Sequence, residues 1–395
     1  MNSQKVNSSY KQSPIGRIPK EWEIIKTDDF LSLEYGKGLT ERERGGGIFP
    51  VFGSNGIVGY HSKYLIKGPG IVVGRKGTIG AITWTDENFW PIDTTYYIEL
   101  KNIEIDMKWL FYKLTSLKLD KLNMATGTPG LNRNLVYSLK TALPSRPEQQ
   151  KIAEVLSAVD EGIGKVGEAI KKTERLKKGL MQKLLTEGIG HREFKDSEIG
   201  KIPKEWEVEK LSGIGEIITG TTPSTKIEEY WGEGYPFVTP TDFSDKKYVD
   251  KTERYVTQKG IKKARIIPKN SVMVTCIASV GEISMASMEC ITNQQINTIV
   301  CNNGINPHYV YYIMLFRKNI LKRWAGITTS PIIKKSLFEK FPLPLPPLPE
   351  QQKIAGILAD VDKKIELERK RKSKLERIKK GLMNDLLTGR KRVKI

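Results

Sequence analysis

The sequence predicts a mixed α/β (α+β) chain with a pseudo-two-fold internal repeat: two similar globular units separated by two long antiparallel helices. Three repeated strings and one apolar stripe predict it. Pro147-Glu148-Gln149-Gln150-Lys151-Ile152-Ala153 returns unchanged as Pro349-Glu350-Gln351-Gln352-Lys353-Ile354-Ala355. Glu174-Arg175-Leu176-Lys177-Lys178-Gly179-Leu180-Met181 returns as Glu376-Arg377-Ile378-Lys379-Lys380-Gly381-Leu382-Met383, and Leu184-Leu185-Thr186 as Leu386-Leu387-Thr388, always 202 residues on. A segment whose length is held while its middle diverges behaves as a rod, and two rods imply a duplicated plan.

Each rod reads as a helix. Pro147 and Pro349 suit the first helical position, and Glu148 and Glu350 place negative charge at the positive end of the dipole. Ile152, Leu156, Val159, Ile163, Val166 and Ile170 step by four and three in turn. Ile354, Leu358, Val361, Ile365 and Leu375 hold the same frame in the second copy, with Glu368 and Lys372 as polar gaps. That stripe predicts a helix–helix seam within one chain; packing of both stripes on a globular core is the alternative. Gly162, Gly164 and Gly167 each cost a helix ~1 kcal/mol relative to Ala, which predicts either a close helix approach or a bend. Residues 148–186 as a helix would span ~58 Å at 1.5 Å per residue.

The chain divides into a polar arm (1–14), a globular unit (15–146), a rod (147–187), a linker (188–198), a second unit (199–348), a second rod (349–388) and a basic tail (389–395). Both units open on one motif, Ile15-Gly16-Arg17-Ile18-Pro19-Lys20-Glu21-Trp22-Glu23 and Ile199-Gly200-Lys201-Ile202-Pro203-Lys204-Glu205-Trp206-Glu207. Trp22 and Trp206 are the expected anchors of each lead-in strand on its core. In the first unit, strands are expected at 48–52, 57–60, 70–73, 81–84 and 95–98, then a helix over Met107–Leu119 and a polar loop over Asn123–Asn134. The second unit repeats the order, with strands at 271–275, 282–286 and 297–300 and a helix over Pro307–Trp324. A loop over Gly326–Pro331 follows, then a stiff proline-rich lead-in at Phe341–Pro349.

Composition narrows the class. A chain of 395 residues with 38% hydrophobic and 28% charged residues fits a globular protein of two or three cores. No apolar run approaches membrane-spanning length and the N-terminus lacks an apolar signal core, so no membrane partner is expected. Three cysteines without a CxxC pair, and only three histidines, argue against a disulfide framework or zinc site and for a reducing cytoplasm. The net charge of +20 points toward a polyanion, and residues 363–395 alone hold 14 Lys/Arg against 4 Asp/Glu. A basic helix face can also simply be solvated.

Motifs for chemistry are incomplete. Gly70–Thr78 has a phosphate-loop flavour, but Arg75 stands where a Walker loop needs glycine. Asn306-Pro307-His308-Tyr309 lacks the second proline of the amino-methyltransferase motif. Asp93, Glu99 and Lys101 imitate a Mg²⁺-nuclease set, yet Asp93 and Glu99 would lie ~20 Å apart along a strand. No catalytic residue, metal ligand or cofactor site is therefore assigned to this chain. Candidates for DNA contact are Arg42, Arg44, Arg75, Lys76, Asn132 and Arg133 in the first unit, with Lys226, Thr239, Asp242, Thr329, Ser330, Lys334 and Lys335 in the second. They are residue types that bond bases or phosphates, at loop positions. An ordinary solvated loop is the competing reading for each. Cys276-Ile277 stands where the first unit has Arg75-Lys76, so that cationic contact is not shared.

Two dissimilar units, each followed by a near-identical rod that opens Pro-Glu-Gln and ends Leu-Leu-Thr, resemble the specificity (S) subunit of type I restriction–modification enzymes. The resemblance covers nearly the whole chain and is most specific at Pro144–Asp160 with Pro346–Asp362 and at Ile15–Glu23 with Ile199–Glu207. It implies two target-recognition domains on an antiparallel helix pair, reading the halves of an asymmetric, bipartite site in double-stranded DNA. It also implies assembly with modification (M) subunits, two of them, and with restriction (R) subunits. S-adenosylmethionine, ATP and Mg²⁺ then belong to those partners, which methylate adenine and cut DNA. Two rivals are a stand-alone nuclease or adenine methyltransferase, and a helical scaffold that does not bind DNA.

Overall fold

The computed structural model describes residues 9–101, 104–122, 130–326 and 331–395. Two compact units emerge: one takes the residues up to Gly167 together with Lys370–Ile395, the other takes Glu168–Arg369. Each thus holds one globular domain and half of each rod.

In the first unit the core sheet is antiparallel, in the order Leu31–Tyr35, Thr95–Leu100, Gly70–Gly74, Ile82–Thr85. Every residue of Gly70–Gly74 is buried, because both faces of the strand are covered. Ile71 and Val73 pack with Trp109, Leu110 and Tyr112 of helix α1 (Met107–Ser116), while Val72 meets Phe52 and Phe89 on the other face. A smaller sheet pairs Phe49–Gly53 with Gly56–His61 and, in parallel, with Trp90–Pro91. The polar arm is not all irregular, since Tyr10–Ser13 pairs with Gly16–Pro19. Strand Glu23–Lys26 pairs with Lys140–Leu143, which binds the start of the domain to the residues just before the rod. A short helix, α2 (Arg133–Tyr137), precedes that pairing.

The second unit repeats this plan. Its core sheet runs Gly215–Thr219, Ile296–Cys301, Val272–Thr275, Ile283–Ala286, and adds Tyr248–Val249 as a fifth, parallel strand. Phe237 and Val238 pair in parallel with Ile291 and Thr292, as Val51 and Phe52 do with Trp90 and Pro91. The long helix of this domain spans Pro307–Trp324 (α4, after α3 of the first rod). Pro342–Leu345 is hydrogen-bonded to Glu207–Lys210, so the proline-rich lead-in is a short paired strand rather than a free extended spacer. It is paired on one side only, where a missing N–H is tolerated.

The rods are continuous helices, α3 (Arg146–Thr186) and α5 (Leu348–Leu386), each starting one residue before its proline. Their stripes do two jobs. At the N-terminal ends, Ile152 and Leu156 enter the core of the first domain beside Trp22 and Trp109, and Ile354 and Leu358 enter that of the second beside Trp206 and Tyr309. Farther along, Val166 and Ile365 are buried, and Val159, Ile163, Ile170, Val361 and Leu375 are half-buried. Antiparallel pairing is seen in each unit: Lys379 reaches Asp160 at 2.6 Å in the first, and Lys177 reaches Asp362 at 2.6 Å in the second. The seam and the core packing, alternatives in the sequence, both occur at different heights of one stripe.

The glycines do not mark the close helix approach that was one of the two expectations. The helix runs unbroken through Gly162, Gly164 and Gly167. A Cβ on Gly162 would meet Leu375 at an ordinary 3.8 Å, and one on Gly164 or Gly167 would meet nothing within 4 Å. No close backbone approach requires them, and nothing in the structure explains the other two.

Candidate nucleic-acid interface

The repeated Pro-Glu-Gln string turns out to be a joint. Trp22 donates its indole N–H to Glu148 at 2.9 Å, and Trp206 donates to Glu350 at 3.0 Å. Gln149 donates to Pro144 O and accepts from Asp106 N; Gln351 donates to Pro346 O and accepts from Asn306 N. Asp106 and Asn306 in turn cap α1 and α4 through their side chains. Asn306-Pro307-His308-Tyr309 is therefore a helix start, with Tyr309 fully buried and its hydroxyl on Pro344 O. Glu148 is almost fully buried, and its charge is met by Arg392 from the basic tail, which also pairs with Glu21. In the second unit the partner of Glu350 is His191, at 3.0 Å.

Three predicted residues converge where the core strands Leu31–Tyr35 and Gly70–Gly74 end. Arg75 follows its strand with its N–H on Thr94 O and its C=O accepting from Leu131 N. Its guanidinium donates to Asp93 O at 2.7 and 3.1 Å and lies 5.1 Å from the ring of Tyr35. Arg133 places its guanidinium 5.3 Å from the same ring, and the Asn132 side chain caps α2 on Asn134 N at 2.9 Å. Behind them, the buried Tyr96 ring stands 5.1 Å from Tyr35 and its hydroxyl donates to Leu131 O. Burial, then the neighbouring Tyr35 hydroxyl, pushes the Tyr96 phenol up to about 12.

Tyr35 itself, 51% exposed between two arginines, escaped the sequence reading. The signal was an aromatic residue next to a glycine at a strand end. Lys76 is exposed on the same turn, with its N–H on Thr94 O. Arg42 and Arg44 lie on a separate turn (Glu41–Arg44), where Arg42 is exposed and Arg44 is half-buried with its Nε on Leu39 O.

The second unit has the same bracket with other chemistry. Cys276 N donates to Gln295 O and Cys276 O accepts from Ile333 N, the bonds that Arg75 makes in the first unit. Burial pushes the Cys276 thiol up to about 12. Around it stand amides and hydroxyls: Thr222 donates to Gln294 at 2.6 Å, Asn293 to Gln295 at 2.9 Å and Thr219 to Asn297 at 2.7 Å. None of these was singled out from the sequence. Thr239 and Asp242 bond each other in a cap, and Asp242 also accepts from Glu253 N, so their polar atoms are largely engaged. Lys226 and Lys334 are exposed, and Lys335 pairs with Glu339 at 3.5 Å. Thr329 and Ser330 lie outside the described residues.

The imitation nuclease set is drawn apart, with the Lys101 ammonium on Asp28 at 2.9 Å and the Asp93 carbonyl occupied by Arg75. Among the described residues there is no group of three or more His, Cys, Asp or Glu that could hold a metal ion, and no helix is long and apolar enough to cross a membrane.

Comparison with known proteins agrees with the duplication. A sequence profile described as "Type I restriction modification DNA specificity domain" matches residues 19–173 and again 203–377. The type I restriction enzyme MjaVIII specificity subunit of Methanocaldococcus jannaschii is 29% identical, over 96% of this chain and 95% of that protein. The MjaIX specificity subunit of the same organism is 39% identical over 47% of this chain and 44% of its own length. Among solved structures, the S subunit of a type I restriction–modification system from M. genitalium shares the fold, with a TM-score of 0.67 at 18% identity, over 93% of this chain and 96% of that one. With both of its halves matched by one profile, the chain belongs to the family of the type I restriction modification DNA specificity domain.

Proposed function

We propose that the chain is the non-catalytic DNA-sequence specificity subunit of a type I restriction–modification complex. Each domain reads one half of an asymmetric bipartite site in duplex DNA; the helix pair sets the unread spacer and docks two modification subunits, with restriction subunits completing the assembly. S-adenosylmethionine, ATP and Mg²⁺ act in those partners, in the cytoplasm. One observation carries the reading above all. The same backbone bracket presents Arg75, Tyr35 and Arg133 in one unit and Gln294 and Thr222, over the buried Cys276, in the other. A shared scaffold with unlike polar faces is what reading two different sequences requires.

Methylome sequencing of cells with and without the gene tests it. The expected result is a set of modified adenines in one split, asymmetric motif that disappears with the gene. A chain that methylates or cuts DNA when purified alone would favour the stand-alone enzyme instead. A chain whose affinity for duplex DNA is absent or independent of salt would favour a scaffold.

A further inference from the structure

Two aspartates one repeat apart hold the same partners. In the first unit Asp160 of α3 accepts the Tyr112 hydroxyl of α1 at 2.8 Å and the Lys379 ammonium of α5 at 2.6 Å. In the second, Asp362 of α5 accepts the Tyr312 hydroxyl of α4 at 2.7 Å and the Lys177 ammonium of α3 at 2.6 Å. Each lysine also lies against the ring of its tyrosine, at 5.5 and 5.9 Å. All four charged side chains are partly buried, between 21% and 34% exposed. Each knot therefore ties three elements together: a domain helix, the rod that follows that domain, and the opposite rod.

An apolar heptad stripe does not define its own register. Sliding one helix by seven residues, about 10 Å, again sets apolar against apolar. A charged residue at a single position removes that freedom, because a shifted register strands the charge. In an antiparallel pair, residues that face each other have numbers of constant sum. Asp160 with Lys379 and Lys177 with Asp362 both give 539, so the two knots name one register. A shift of one heptad in one direction would set Asp160 against Leu386 and Asp362 against Leu184; the opposite shift would set Asp362 against Ile170. Neither alternative keeps both aspartates paired.

We propose that Asp160 and Asp362, each held by its tyrosine and lysine, are the positioning residues that fix the register of the helix pair and the seat of each domain on it, and so select the single spacer length the protein accepts. The proposal rests on the bipartite reading given above.

The test is methylome sequencing of cells carrying the whole complex. Asp160→Asn with Asp362→Asn keeps side-chain volume and removes both charges. The expected result is the same two half-sites modified at additional spacer lengths, one or more base pairs from the original, at roughly a tenth of its frequency or more. Tyr112→Phe with Tyr312→Phe, which deletes only the hydroxyls, should add fewer. One unchanged spacer in the aspartate double variant overturns the proposal, even if the melting temperature falls, since a merely stabilising knot would do that. Loss of modification at every spacer in an assembled complex overturns it too. If the double variant does not assemble, Lys177→Gln with Lys379→Gln, which breaks both ion pairs from the other side, decides by the same criterion. A wild-type complex without a split motif would defeat the bipartite reading itself, a separate outcome.

Discussion

Arg75 and Cys276 occupy one place in two copies of one scaffold, and the difference between them teaches how the fold separates holding from reading. The backbone bonds around both residues are the same, to Thr94 and Leu131 in one unit and to Gln295 and Ile333 in the other. The side chains share nothing. One is a guanidinium on an exposed tyrosine and the other a buried thiol among amides. The joints beneath them, by contrast, are nearly identical down to Trp22–Glu148 and Trp206–Glu350.

Breaking the frame should have the largest effect and should treat the units alike. Trp22→Ala and Trp206→Ala each remove a fully buried indole from a domain core and take one donor from Glu148 or Glu350, which keep Arg392 and His191 respectively. A loss of about 3–5 kcal/mol is expected in either case, visible as a lowered transition in calorimetry. Equal losses would confirm equivalent joints; a negligible loss in one unit would show that its joint is not needed.

A second contrast is Lys113 against Ile313. Lys113 is 6% exposed with its ammonium on Leu387 O, and burial lowers it to about 8; the second unit has an apolar Ile313 in that helical position. The folded state gives up this proton near pH 8 and the unfolded chain near 10.4, so the unfolded state binds more protons between the two. Stability should therefore rise with pH across about 8 to 10.4, by up to about 3 kcal/mol. Lys113→Met should flatten that rise and stabilise the protein at pH 7. Denaturant titrations of both proteins at pH 7 and 10 check the sign.

Sharpening the rim contrast calls for smaller, local changes. Arg133→Ala and Arg75→Ala should each weaken DNA binding by about 1–3 kcal/mol and alter only the half-site read by the first unit. Cys276→Ala should leave both half-sites unchanged, whereas Gln294→Ala should alter the second. Smallest of all, Gly164→Ala and Gly167→Ala, where a Cβ has open space, should stabilise α3 by about 1 kcal/mol each without changing the spacer. Destabilisation there would mean that the glycines serve a bend or contact the free chain does not show.

Much of this was legible before folding. The 202-residue offset located both rods within one or two residues, and β-branched runs between glycines located three strands of each core sheet but not Leu31–Tyr35, Gly215–Thr219 or Tyr248–Val249. The α4 helix came out at its predicted limits, Pro307–Trp324, because Asn306 and Pro307 form a strong start signal. The role of Gln149 and Gln351 was not legible: their partners, Asp106 and Asn306, lie 43 and 45 residues away and are met only through backbone N–H groups, which leave no mark on composition. Nor was the fate of the basic tail, whose Arg392 closes on Glu148 across 244 residues.

By itself the sequence determined the duplicated plan, from the 202-residue repeat, and the helical rods and eight of the strands, from periodicities and start signals within a dozen residues of one another. Tertiary structure alone decided that Tyr35, Arg75 and Arg133 share one surface, that the rod stripe divides between core and seam, and that Asp160 and Asp362 mark one register. Those outcomes depend on which distant backbones are brought side by side, and the energy that chooses among such pairings resides in contacts no local pattern records.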